Sequence, residues 1–93
     1  MKLNLTKELI DKGIINKSNE HDWDTNACVL CPVALAAQEA FNNKHIRVDS
    51  NFIYLGMSDT PVKLPDKLGE FVKEFDENFP VEKLYTYIGE YEL

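Results

Sequence analysis

The segment of residues 65–79, PDKLGEFVKEFDENF, constrains the fold most, because its apolar residues follow the period of an α-helix. Positions i, i+3, i+4 and i+7 are apolar: Leu68, Phe71, Val72 and Phe75. Pro65 suits the start of this helix. Gly69 weakens it by about 1 kcal/mol relative to alanine, which indicates that another backbone packs closely there. Such a helix is stable only when its apolar stripe packs on a second layer, so the chain must supply one.

Two further helices are predicted upstream. Thr6 can cap a short helix over residues 7–12, and Gly13 is placed to end it. The polar segment 14–27 is then predicted to be a loop with Trp23 as its anchor. Pro32 fits the first position of a longer helix, because its missing N–H costs nothing there, and Cys31 becomes the N-cap. The apolar stripe of that helix comprises Val33, Ala37, Ala40 and Phe41.

Alternation of apolar and polar residues predicts the strands. Residues 2–5 form a short strand, and residues 46–55 form a hairpin that turns at Ser50-Asn51, so that Val48 faces Ile53 and Arg47 faces Tyr54. Residues 56–64 form a turn-rich connector. The segment 82–93 is predicted to be a strand with alternate residues on opposite faces: Leu84, Thr86 and Ile88 on one, and Tyr85, Tyr87 and Tyr91 on the other.

These elements predict a single α+β domain over residues 1–93. The predicted order is β-α-α-β-β-α-β, with helices packed on one face of a small, mostly antiparallel sheet. A chain of 93 residues has room for one modest core.

Charge and hydropathy limit the classes of partner and the cellular compartment that we expect for this chain. The net charge is −6, and residues 59–93 contain four lysines against nine acids. No basic patch is available for phosphates, so we expect no duplex nucleic acid partner. The longest apolar run, 33–37, is too short to span a membrane. The N-terminus lacks the apolar centre of a secretory signal. We therefore expect a protein of the bacterial cytoplasm with reduced thiols and no cofactor.

The two cysteines, Cys28 and Cys31, have the spacing of half a zinc site, which His21 or His45 could complete. A Cys-x-x-Cys pair at a helix start also occurs in redox proteins, but here both thiols precede the helix. A cysteine hydrolase built on Cys31, His45 and Asp49 is a third alternative. The favoured interpretation is that both cysteines pack in the core, because cysteine is among the most buried residue types.

The outer face of the sheet is predicted to carry a candidate binding surface. It would contain one arginine and five aromatic residues: Arg47, Phe52, Tyr54, Tyr85, Tyr87 and Tyr91. Exposed aromatic side chains on a sheet mark a surface for another molecule. A neighbouring subunit, the 14–27 loop, a foreign protein or a small ligand could each cover it.

Several of these features together resemble a group of small, uncharacterised proteins of tailed bacteriophages and prophages. They are the Cys-Pro-Val-Ala-Leu-Ala start of the second helix at 31–36, the hairpin, Leu64-Pro65 leading to Phe71 and Phe75-Asp76, and the aromatic final segment. The resemblance implies a phage context, in which small accessory proteins often act by binding, for example to blunt a host defence. It implies no catalytic or binding residue.

Three classes of function follow as hypotheses. The first is a non-enzymatic phage-type accessory protein that engages a host protein through the aromatic face or the acidic C-terminal third. The second is a homo-oligomer that sequesters a small nucleotide-like anion with Arg47, Lys44 and tyrosines at a shared pocket. The third is a zinc or redox protein that uses the two cysteines.

Overall fold

The computed structural model describes residues 2–56 and 60–93, and the predicted connector 56–64 therefore lies partly outside the described residues. The elements of the described residues are β1 (Lys2–Leu5), α1 (Lys7–Asn19), α2 (Trp23–Leu30), α3 (Pro32–Ala40), β2 (Arg47–Val48), β3 (Phe52–Tyr54), β4 (Val62–Lys63), α4 (Asp66–Asp76), α5 (Val81–Tyr85) and β5 (Gly89–Glu92). The α+β class is confirmed. The predicted order lacked α2, β4 and α5.

The strands pair antiparallel, but they form two sheets instead of one. One sheet contains β1 and β5, and the other has the order β2-β3-β4. The predicted hairpin register is confirmed, because Arg47 pairs with Tyr54 and Val48 pairs with Ile53. Part of the predicted connector forms β4, whose Val62 pairs with Ile53.

Helix α4 supplies the centre of the core, as its sequence period predicts. Its apolar stripe is buried: Leu68, Phe71, Val72 and Phe75. A Cβ atom placed on Gly69 would lie 2.5 Å from the carbonyl oxygen of Ser50. The glycine therefore lets α4 approach the turn of the β2–β3 hairpin, which confirms the close backbone contact expected at this position.

Helix α3 begins as predicted. Pro32 is its first residue, and the Sγ atom of Cys31 accepts a hydrogen bond from the N–H of Ala34 at 3.4 Å. Val33 and Ala37 are fully buried, and the helix packs against β1 and α1. The small side chains on this helix allow that close packing.

The prediction that Gly13 ends the first helix is wrong. Thr6 caps α1, its Oγ1 atom accepting from the N–H of Leu9 at 3.2 Å, but the helix continues to Asn19. A Cβ atom on Gly13 would lie 2.5 Å from the ring of Pro32. Gly13 is thus a point of close helix contact. The predicted 14–27 loop is replaced by the end of α1 and by most of α2.

The predicted final strand is also largely wrong. Residues 81–85 form α5, and only Gly89–Glu92 form a strand, β5, which pairs with β1. Leu84 and Tyr87 are both buried, a spacing of three that suits a helical turn, whereas Ile88 is exposed. The two alternating faces predicted for residues 82–93 therefore do not exist.

Candidate functional site

Three of the six predicted surface residues lie together on the outer side of the β2-β3-β4 sheet. Arg47 is opposite Tyr54 in the register, and Phe52 lies two residues before Tyr54 on the same face. The Phe52 and Tyr54 ring centroids are 6.3 Å apart. The intervening Ile53 is fully buried, while Phe52 is 40% and Tyr54 37% exposed. We call Arg47, Phe52 and Tyr54 the outer hairpin face.

Asp49 fixes the conformation of the outer hairpin face through hydrogen bonds. Its Oδ1 atom accepts hydrogen bonds from the N–H groups of Asn51 and Phe52, each at 2.7 Å, and its Oδ2 atom accepts the Tyr54 hydroxyl at 2.6 Å. Burial acts to raise the pKa of Asp49, but these three donors outweigh it, and the pKa is lowered. The hydrogen bond between the Tyr54 hydroxyl and Asp49 raises the pKa of Tyr54. These hydrogen bonds fix the turn and the position of the Tyr54 ring.

Arg47 lies beside the side chain of Cys28 in α2. Interaction with Cys28, first through hydrogen bonding and then through charge, raises the pKa of the guanidinium. Cys28, Arg47, Asp49 and Tyr54 line a cavity of about 330 Å³. Among residues 2–56 and 60–93, no carboxylate forms an ion pair with Arg47. Arg47 is exposed to solvent.

The position of Cys28 beside Arg47 was not predicted, because most of α2 fell in the segment 14–27 that was predicted to be a loop. A signal for Asp49 did exist. It stands directly before the Ser50-Asn51 turn, where an aspartate accepts hydrogen bonds from backbone N–H groups two and three residues on. The role of Asp49 in organising the hairpin was nevertheless not predicted.

The other three predicted surface residues lie elsewhere, so the prediction of one shared face is wrong. The Tyr85 hydroxyl donates to the Asp11 carboxylate of α1, and the Tyr91 hydroxyl donates to the carbonyl oxygen of Tyr87. Tyr87 is 4% exposed. Its hydroxyl donates to Glu74 at 2.6 Å. The prediction failed because residues 81–85 are helical, so a period of two does not describe them.

The two cysteines differ in their burial. Cys31 is buried, as the core interpretation predicts, and burial raises the pKa of its thiol to about 12. This thiol is therefore a poor nucleophile. Cys28 is half-buried, so the core interpretation is wrong for it, and both cysteines are free thiols.

The predicted zinc ligands are not gathered into a site. His21 and His45 are both exposed. Within the described parts of the chain, no three His, Cys, Asp or Glu side chains form a group that could hold a metal ion. Lys44 and Arg47, the two cations of the second hypothesis, line different cavities that share no residue.

Comparisons with protein-family models, with curated proteins and with solved structures find no match to this chain. In residues 2–56 and 60–93, no helix has the length and apolar character needed to cross a membrane.

Proposed function

We propose that this protein acts by binding another protein through the outer hairpin face, and that it catalyses no reaction. One observation supports this proposal above all. Phe52 and Tyr54 are about two-fifths exposed although they flank Ile53, which is fully buried in the same strand. Two neighbouring aromatic rings on an uncovered sheet face are typical of a protein interface.

Arg47, the third member of the outer hairpin face, indicates the chemistry of the partner's surface. Arginine and tyrosine are among the residues that dominate binding energy in protein interfaces. Arg47 has no carboxylate partner within the described residues. A matching surface would place a carboxylate against Arg47 and an apolar pocket over the rings of Phe52 and Tyr54.

The resemblance to phage proteins supplies the proposed setting. We place the protein in the cytoplasm of an infected bacterium, where its partner is a host protein and its role is to counter a host defence. Binding by an accessory protein of this size requires only a preformed surface. The hydrogen bonds of Asp49 provide such a surface, because they fix the turn and the Tyr54 ring.

The test is capture of a partner from a bacterial lysate by the tagged wild-type protein, with quantification by mass spectrometry. A double variant, Phe52→Ala with Tyr54→Ala, removes both rings. We expect it to recover the partner at least about tenfold less well, because buried aromatic anchors each contribute about 2 kcal/mol or more. Phe79→Ala is the matched control, since Phe79 is 39% exposed but lies after the end of α4 and lines a different cavity.

Two results would overturn the proposal. One is a partner recovered equally well by the double variant. The other is no specific partner from any host lysate. Molecular mass in solution provides the remaining check, because a homodimer that dissociates in the double variant would assign the outer hairpin face to self-association.

A further inference from the structure

A second candidate site lies on a different part of the molecule, where α1 meets the end of α3. It is a cavity of about 560 Å³ that also borders the turn of residues 42–45. Lys12 enters it from α1, and Lys44 and His45 enter it from the turn. Glu39 is the one acidic residue in its lining. The cavity shares no residue with the outer hairpin face.

The two lysines of this cavity are unpaired in a chain that has an excess of acids. The chain contains 16 acidic and 10 basic residues. Lys7 pairs with Asp11 at 2.9 Å and Lys63 pairs with Asp66 at 3.0 Å. In the described parts of the chain, neither Lys12 nor Lys44 has an ion pair or a hydrogen bond. Neither ammonium group is therefore held by a carboxylate of the described residues.

The wall of the cavity is held by the fold. The side-chain amide of Gln38 donates to the carbonyl oxygens of Val29 at 3.0 Å and Ile46 at 3.2 Å, which ties α3 to α2 and to the residue before β2. Asn42 adopts a left-handed backbone with φ of 50°. The Oδ1 atom of Asn43 accepts from the N–H of His45 at 2.9 Å. These contacts fix the turn that carries Lys44.

We propose that this cavity binds a small phosphate-bearing anion. Two unpaired ammonium groups supply positive charge and donors for phosphate oxygens. The His45 ring can donate one more hydrogen bond in either protonation state. Leu9 and Leu35 provide an apolar wall for the carbon part of the ligand. Overall negative charge on the protein does not oppose this, because screening limits distant charges to about 8–10 Å at ordinary salt.

The experiment is isothermal titration of the full chain with inorganic phosphate, pyrophosphate and adenosine monophosphate at constant ionic strength. Backbone NMR shifts recorded in parallel locate the site. We expect pyrophosphate to bind more tightly than phosphate, with shifts at residues 9–12 and 42–45. The double variant Lys12→Gln with Lys44→Gln should lose at least about tenfold in affinity, because it removes two charge-assisted contacts to the phosphate oxygens.

Two variants distinguish specific binding in the cavity from nonspecific electrostatic attraction of the anion to the protein. Lys67→Gln with Lys73→Gln removes the same charge from α4 and should keep wild-type affinity. Glu39→Gln removes the single carboxylate of the cavity and should raise affinity about two- to fivefold. It also keeps the test decisive if the first double variant fails to fold. The proposal is overturned if no probe shifts these residues, if both double variants lose affinity equally, or if Glu39→Gln leaves affinity unchanged.

Discussion

The aromatic residues of this protein fall into two regions that contrast sharply. On the β2-β3-β4 sheet, the Tyr54 hydroxyl bonds to Asp49, only five residues away, and the ring remains exposed. In the C-terminal region, the Tyr85 hydroxyl reaches Asp11, 74 residues away in the sequence. A hydrogen bond within one turn shapes a surface, whereas a bond across the chain joins elements of the fold.

Tyr87 shows the structural role most clearly. Its ring meets that of Phe71 edge-on at 5.3 Å, and its hydroxyl bonds to Glu74 on the same helix. Lys67 and Lys83 lie over the ring at 5.8 and 5.6 Å. Contact with so many groups means that this tyrosine has no face left for a partner. Counting aromatic residues in the sequence does not separate these two roles.

The largest expected effect comes from truncating one aromatic residue in each region. Tyr87→Ala should lower the free energy of unfolding by about 3–5 kcal/mol, because it empties a buried ring site. Phe52→Ala should lower it less, by about 1 kcal/mol, because about two-fifths of this residue is already exposed to solvent. Urea denaturation followed by circular dichroism measures both. Equal losses would remove the distinction between the two regions.

A smaller effect is expected where α4 supports the hairpin. Gly69→Ala would place a Cβ atom 2.5 Å from the carbonyl oxygen of Ser50. We expect a loss of about 1–3 kcal/mol from this overlap, less the gain of about 1 kcal/mol in helix propensity. Lys73→Ala, at an exposed position of the same helix, is the control. A Gly69→Ala protein more stable than wild type would show that the hairpin turn does not rest on α4.

The Tyr87 hydroxyl should make the free energy of unfolding depend on pH in the alkaline range. Its hydrogen bond to the Glu74 carboxylate, followed by burial, raises the pKa of the hydroxyl from its ordinary 10.0 to about 12. Because the folded state holds this proton more tightly, the stabilisation is complete below pH 10 and is lost as the pH rises towards 12. Tyr87→Phe should be less stable at neutral pH but lose less stability across this interval. Parallel losses in wild type and variant, measured by urea denaturation from pH 9 to about 12, would contradict this role.

The sequence predicted the parts of the fold in which one period governs a whole element. The apolar stripe of α4 and the register of Val48 against Ile53 are of this kind. Helix α2 was missed because none of its residues is fully buried and its first five belong to the polar segment 14–27. Gly13 was read as a helix end because a glycine that ends a helix and one that allows close contact look the same in a sequence.

For the same reason, only three of the six predicted surface residues lie in the outer hairpin face. Arg47, Phe52 and Tyr54 lie in a hairpin whose alternation holds, so their shared face was predicted correctly. The C-terminal tyrosines follow Pro80, which starts a short helix instead of a strand. The spacing of three residues between Leu84 and Tyr87 suits a helical turn. The prediction followed the alternation of the neighbouring residues instead, which favours a strand.

Hydroxyl-radical footprinting, read by mass spectrometry on the free protein and on the complex captured from lysate, tests the central claim most directly. We predict that Phe52 and Tyr54 react much faster than Tyr87 in the free protein and become protected in the complex, while Tyr87 stays slow in both. Phe52 and Tyr54 that react as slowly as Tyr87 when free, or that stay unprotected in the complex, would contradict the account.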